Sequence, residues 1–137
     1  MNRYMLDTNI ASAIIKQKST EVRRRLSMHP VDSVVVSAVT QAELLYGLAR
    51  VGRPAALSKL IREFLLRVQV LPWDSDAATV YGDFRATCAS AGITLGALDM
   101  MIAAHAIAAK AVLVTRDKTF SLLPTDILAI EDWASES

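Results

Sequence analysis

Little in this chain can be cross-linked, and no stretch of it is suited to a membrane. Its single cysteine, Cys88, excludes an internal disulfide and fits a reducing compartment. The longest uncharged stretch with a helical pattern, Met100 to Ala109, is closed by Lys110 and falls short of the ~20 residues that a span requires. Near the N-terminus Asp7 interrupts the apolar run before a signal-peptide core can form, so the expected location is the cytosol. Repeats, low-complexity tracts and linkers are missing too, and 137 residues suit one domain, expected over 1–137. A strong net charge is also lacking, but the +1 total hides an asymmetry. Eleven of the 15 Lys and Arg lie at or before Arg67, and nine of the 14 Asp and Glu lie after it.

What is abundant is apolar surface. Hydrophobic residues make up 53% of the chain and mean hydropathy is +0.32, more than one core readily absorbs, so an oligomeric or partner contact is expected. The apolar residues alternate between strand and helix patterns in a repeated βα order. Tyr4-Met5-Leu6 reads as a buried strand, followed by short helices over Ile10–Lys16 and Thr20–Met28, the second ended by Pro30. Val34-Val35-Val36 is a continuous apolar strand of the kind found inside parallel sheets. A helix to about Arg50 has Ser37 or Thr40 as its cap, and Gly52 and Pro54 punctuate its end. Leu57, Leu60, Ile61, Phe64, Leu65 and Val68 then share one helical face, which reads as a core-facing amphipathic helix or else as a dimer or partner contact. A strand over Val68–Trp73, a helix over Ser75–Ala91 with Cys88 on its inner face, an almost wholly apolar helix over Ala97–Lys110, and strands over Ala111–Thr115 and Ile127–Ile130 complete the pattern before an acidic tail. His29, beside Pro30, reads as loop.

Carboxylates stand at corresponding places in this pattern. Asp7 ends the first strand, Glu43 lies one to two turns into the helix after the second, Asp99 opens the apolar helix, and Asp117 follows the fourth strand by two residues. Each alone suits a local role, since Asp7 and Asp117 are good N-caps, Thr40-x-x-Glu43 matches a capping box, and Asp99 suits the positive end of a helix. With parallel strands, however, all four project from one edge of the sheet, where open α/β folds bind their ligands. Four neighbouring carboxylates stay ionised together only beside a compensating cation. Oxygen ligands without Cys or His point to Mg²⁺ or Mn²⁺. A dication held this way acidifies a water and neutralises phosphoryl charge, so phosphodiester hydrolysis is the natural reaction. Asn9 and Thr115, beside Asp7 and Asp117, are placed to orient ligands or water. His105, about 120° round the helix from Asp99, reads as a core or interface residue. The basic run around Arg23, Arg24 and Arg25 offers phosphate contacts to RNA or simply a solvated helix face.

The segments Met5-Leu6-Asp7-Thr8-Asn9, Ser37 to Gly47 around Glu43, Leu98 to Ala106 around Asp99, and Leu113-Val114-Thr115-Arg116-Asp117 resemble the acidic motifs of PIN-domain proteins, and most closely the VapC toxins of bacterial toxin–antitoxin pairs. The resemblance extends through Glu131-Asp132-Trp133. It implies a three-layer α/β/α sandwich with a central, mostly parallel sheet and a Mg²⁺- or Mn²⁺-dependent endoribonuclease that cuts structured RNA, such as tRNA or ribosomal RNA loops. It also implies a VapB-type antitoxin, a homodimer, larger toxin–antitoxin complexes, and promoter DNA bound only through the antitoxin. By motif position Asp7 and Asp99 would be the main metal ligands, with Glu43 and Asp117 completing the pocket. Ala97-Leu98 stands where close relatives often carry Pro-Tyr or Pro-Phe, a departure that bears on substrate preference. Two other readings compete. One is aspartyl-phosphate chemistry, for which Asp7-Thr8-Asn9 supplies only half of a paired-acid motif; the other is a catalytically weak PIN-like scaffold acting through an antitoxin and DNA-bound complex.

Overall fold

A computed structural model of the chain describes residues 2–124 and 126–134; Glu136, in the expected acidic tail, lies outside them. Five strands form one sheet: β1 (Arg3–Leu6), β2 (Val34–Ser37), β3 (Gln69–Leu71), β4 (Ala111–Val114) and β5 (Ile130–Glu131). Their order is β3-β2-β1-β4-β5, and every neighbouring pair is parallel. The sheet is therefore wholly parallel among the described residues, where a mostly parallel one was expected.

Parallel sheets need helices on both faces, and side-chain alternation along β1 shows how this chain meets that need. Met5 joins Val35 and Leu113 in a core on the side of α5 (Ser75–Ser90) and α6 (Ala97–Ala108). Leu6 joins Val34, Val36 and Val114 on the other side, beneath α1 (Thr8–Ile15), α3 (Ala38–Arg50) and α4 (Ala55–Arg67). The result is the expected α/β/α sandwich. Ile102, Ala103, Ala104 and Ala106 of α6 are all buried, which accounts for a helix apolar nearly all round.

Several boundaries differ from the sequence reading. β3 shrinks to three residues because it is the edge strand beyond β2, and Pro72 has no N–H with which to extend it. β5 starts at Ile130 because Ile127 closes a turn, its N–H donating to the Pro124 carbonyl at 3.1 Å. On α4, Ile61 and Phe64 are buried, but Leu60 is 38% exposed and Leu66 82%. Both leucines line a groove of about 1000 Å³ shared with Arg23 and Leu26 of α2 (Thr20–Ser27) and with Arg67.

His29 is not a bare loop residue. Its ring lies 4.2 Å from Tyr4 and stacks on Trp133 at 5.0 Å with an interplanar angle of 6°. Trp133 is fully buried, and its Nε1 donates to Glu131 Oε1 at 3.0 Å. The last described residues are thereby fastened to the segment between α2 and β2. No helix among the described residues is long and apolar enough to cross a membrane.

Candidate active site

From β1 the chain builds outward through β2 and β3 on one side and through β4 and β5 on the other. The order reverses between β1 and β4, and a crevice opens at the carboxyl ends of strands at such a switch point. Asp7 is the first residue beyond β1, and its N–H donates to the Val114 carbonyl of β4 at 3.0 Å. Thr115 is the first residue beyond β4 and Asp117 the third. The Thr115 hydroxyl oxygen accepts the Asp117 N–H at 3.0 Å, and the same side chain lies close enough to the Asp7 carboxylate to pull its pKa down. One hydroxyl thus links the first acid to the fourth.

The capping and site readings of these acids are compatible. Asp7 Oδ1 accepts the Ile10 N–H at 2.9 Å and starts α1, while Asp117 Oδ1 accepts the Thr119 N–H at 2.9 Å and starts a short 3-10 helix, Lys118–Leu122. A carboxylate has two oxygens and about four lone-pair sites, so each cap leaves an oxygen for the crevice. At the next helix, Ser37 rather than Thr40 is the cap of α3, its Oγ accepting the Val39 N–H at 3.1 Å. Thr40 and Glu43 therefore form no capping box. Both turn toward α1, where Thr8 Oγ1 donates to Glu43 Oε1 at 2.6 Å and lies 3.3 Å from Thr40 Oγ1. Asp99 stands in the first turn of α6, whose cap is Gly96 and lacks a side-chain hydrogen bond. A Cβ built on Gly96 would lie 3.5 Å from Asp99 Oδ2, in ordinary contact.

Electrostatically the four acids form one group. Burial pushes the Asp7 carboxyl above its ordinary range; hydrogen bonds from Thr115 and Ile10 oppose this, and the charges of Asp99 and Asp117 reinforce it. Asp99 is also raised, first by burial and then by the charges of Glu43 and Asp117. Among the described residues, nevertheless, no three His, Cys, Asp or Glu side chains lie close enough together to grip an ion directly. That donor set fits a strongly hydrated cation. Mg²⁺ demands octahedral geometry, dehydrates reluctantly, and is usually held by one or two carboxylates with waters completing its shell.

The chain matches the family model described as PIN domain over residues 4–125. It belongs to the PIN-domain family. Within that family it is similar to the tRNA(fMet)-specific endonuclease VapC of Shigella flexneri, at 37% identity over 98% of this chain and all of that one. Its fold matches the crystal structure of DNA-bound VapBC from Salmonella typhimurium with a TM-score of 0.87 and 34% identity, covering 97% of this chain and 99% of that one. A second match, VapBC2 from Rickettsia felis bound to a promoter DNA fragment, has a TM-score of 0.86 and 29% identity, covering 95% and 98% of the two chains.

Beyond the four acids, the PIN scaffold treats the sequence-derived residues unequally. Thr115 stands between two acids, as its position suggested. Asn9 is exposed on the first turn of α1 and makes no side-chain hydrogen bond among the described residues. Its neighbour Thr8 makes the contact to Glu43 instead; adjacent helix positions lie ~100° apart, so only one of the pair can face α3. The available signal was the run Asp7-Thr8-Asn9 itself, three polar residues where a helix begins. His105 and Cys88 are buried as expected, and burial raises the Cys88 thiol. Arg23, Arg24 and Arg25 sit on α2, and Arg23 lines the groove beside α4, which none of the four acids lines. Arg24 is engaged by Glu21 through hydrogen bonds of 2.6 and 3.1 Å, and Arg25 Nε lies 3.5 Å from the same carboxylate.

Proposed function

We propose that this PIN-domain chain is the toxin of a toxin–antitoxin pair, a VapC-type ribonuclease that cleaves structured RNA with Mg²⁺ or Mn²⁺. The observation that carries this reading is the convergence of Asp7, Glu43, Asp99 and Asp117 at the β1/β4 switch point, where burial first and the neighbouring acids second push the Asp7 and Asp99 carboxyls above their ordinary range. Asp7 and Asp99 would hold the ion, with Glu43 and Asp117 completing the acidic pocket and orienting water. When bound, a dication supplies compensating charge for the carboxylates and the phosphate and acidifies a water. The chain's own contribution is placement. Thr115 fixes Asp7 relative to Asp117, and Thr8 holds Glu43 on the side facing them.

The relative named for tRNA(fMet) favours a structured tRNA as substrate, and the VapBC neighbours favour a VapB-type antitoxin as partner, with promoter DNA contacted through it. The exposed apolar residues Leu45, Tyr46 and Val51 on and beside α3 suit a subunit or partner contact and support a homodimer. Purified protein is expected to cut RNA in Mn²⁺ and to stop in EDTA, and its expression to arrest growth unless the antitoxin is co-expressed. Tight antitoxin binding with every RNA left intact would replace the enzyme by a scaffold. Phosphate release from a small phosphomonoester, without RNA cleavage, would replace it by aspartyl-phosphate chemistry.

A further inference from the structure

The helices carrying Glu43 and Asp99 meet at one buried polar point that the proposed chemistry does not use. His105 Nδ1 of α6 lies 2.7 Å from Ser37 Oγ at the start of α3; Ser37 is fully buried and His105 is 4% exposed. Ser37 Oγ already accepts the Val39 N–H at 3.1 Å, which leaves its own O–H to give. With that O–H directed at His105, the bond runs to Nδ1 of a neutral ring whose proton is on Nε2, the tautomer that leaves the second lone pair of Ser37 Oγ unused. Burial lowers the His105 pKa, against an opposing pull from the Asp74 carboxylate, and so agrees with a neutral ring. Among the described residues this is the only side-chain hydrogen bond joining α3 or its cap to α6.

From this bond each helix runs six residues to an acid, forward from Ser37 to Glu43 and back from His105 to Asp99. Six residues are about 9 Å of helix, two stiff arms hinged on one fixed point. A histidine among Ile102, Ala103, Ala104 and Ala106 is costly to bury, and an aliphatic side chain would fill the space without a polar group to satisfy. What an aliphatic residue lacks is direction, since it would let α6 slide against α3.

We propose that Ser37 and His105 are positioning residues that set the separation of Glu43 from Asp99, and through it the affinity of the acidic site for a divalent cation. This rests on the dication reading of that site. The test compares full-length wild type, His105→Leu, His105→Asn and Ser37→Ala by titration with Mn²⁺ alone, following the free ion by electron paramagnetic resonance. RNA cleavage is measured across the same Mn²⁺ range, and Tm without metal monitors folding. Asn Oδ1 falls near the place of Nδ1 and can accept the Ser37 hydroxyl, so His105→Asn is expected to stay within about 3-fold of wild type. His105→Leu and Ser37→Ala are expected to weaken Mn²⁺ binding by roughly 10-fold, the lower end for losing an outer-sphere support. The Mn²⁺ concentration for half-maximal cleavage should move by the same factor, with a smaller loss at saturating Mn²⁺. If His105→Leu does not fold, Ser37→Thr, which keeps a capping hydroxyl and a donor to His105, is set against Ser37→Ala, and only a loss of Mn²⁺ affinity in Ser37→Ala that Ser37→Thr restores and that exceeds what its loss of Tm accounts for supports the proposal. Variants with lowered Tm but unchanged Mn²⁺ affinity would reduce the pair to a packing contact and overturn the proposal. A wild-type chain that neither binds Mn²⁺ nor cuts RNA would overturn the dication reading and this proposal together; active wild type with indistinguishable variants would overturn this proposal alone.

Discussion

The carboxyl edge of the sheet and the corner where α2 meets Trp133 treat charge in opposite ways. At the edge, Asp7 and Asp99 are pushed above their ordinary range by burial and by other acids, and neither has a basic partner among the described residues. At the corner, Glu21 is shared by Arg24 and Arg25, the Arg24 hydrogen bond holds the carboxyl below its usual range, and His29, Tyr4 and Trp133 form a three-ring cluster in which each touches the other two. The corner is arranged for the folded state as it stands. The edge tolerates buried like charges that a bound cation would relieve, which marks it as the candidate working end.

The largest effect that sharpens this contrast is the replacement of an edge acid. Asp7→Asn or Asp99→Asn is expected to lower RNA cleavage by ~1000-fold or more, the loss that follows from removing several kcal/mol of charge stabilisation. The same change should raise Tm in the metal-free protein, where each kcal/mol of relieved repulsion is worth about 3 °C in a domain this size. A raised folded pKa means that the native state binds its proton more readily than the unfolded chain does. The stability cost is therefore full at neutral pH and fades as pH falls through the folded value. Calorimetry without metal should find the Tm gain of Asp7→Asn greatest at neutral pH and closing toward acid. A Tm that falls at neutral pH would deny that the edge is strained.

Second comes the corner. Trp133→Ala removes a fully buried indole, its stack on His29 and its bond to Glu131, and is expected to cost about 3–5 kcal/mol in urea unfolding. Cleavage per folded molecule should stay near wild type, because among the described residues no hydrogen bond joins the stack to any of the four acids. A folded Trp133→Ala protein with a large loss of activity would erase the division between the two regions.

What the sequence made legible follows the same division. Asp7, Glu43, Asp99 and Asp117 could be placed because each has a fixed offset from a strand end or helix start, and a parallel sheet brings all those ends to one edge. Long-range polar ties carry no such local mark. Thr8 to Glu43 spans 35 residues and Ser37 to His105 spans 68, and no periodicity encodes either. The stack of His29 on Trp133 was hidden for the same reason, so His29 beside Pro30 looked like loop. The Leu60 side of α4 looked core-facing because its amphipathic stripe is wider than the sheet contact it makes; the remainder lines the groove. The Thr8 contact has its own test of intermediate size. Thr8→Val keeps the shape but leaves Glu43 Oε1 without its donor, and is expected to lower cleavage about 10-fold with little change in Tm. Activity equal to wild type would show that Glu43 finds its place without Thr8.

The smallest expected effect concerns α2, where three arginines invite an RNA-binding reading that their ion pairs temper. Arg24 is held by two hydrogen bonds to Glu21, and Arg25 lies against the same carboxylate with its side chain largely covered. Arg23 alone is outside that pairing and faces the groove beside Arg67. A phosphate that recruited Arg24 or Arg25 would have to displace an existing carboxylate, so the gain from those two contacts is reduced by what they give up. In an Asp7→Asn background, which spares the RNA, changing Arg23, Arg24 and Arg25 together to Gln should weaken binding and make its salt dependence shallower. The change in log–log slope should be about 0.7, the value for one lost phosphate contact on single-stranded RNA, and Arg23→Gln alone should produce most of it. A change near three times that size would mean that RNA breaks the Glu21 pairs on binding. No change at all would leave α2 with only its structural part, and the acidic edge would have to recruit RNA through other residues.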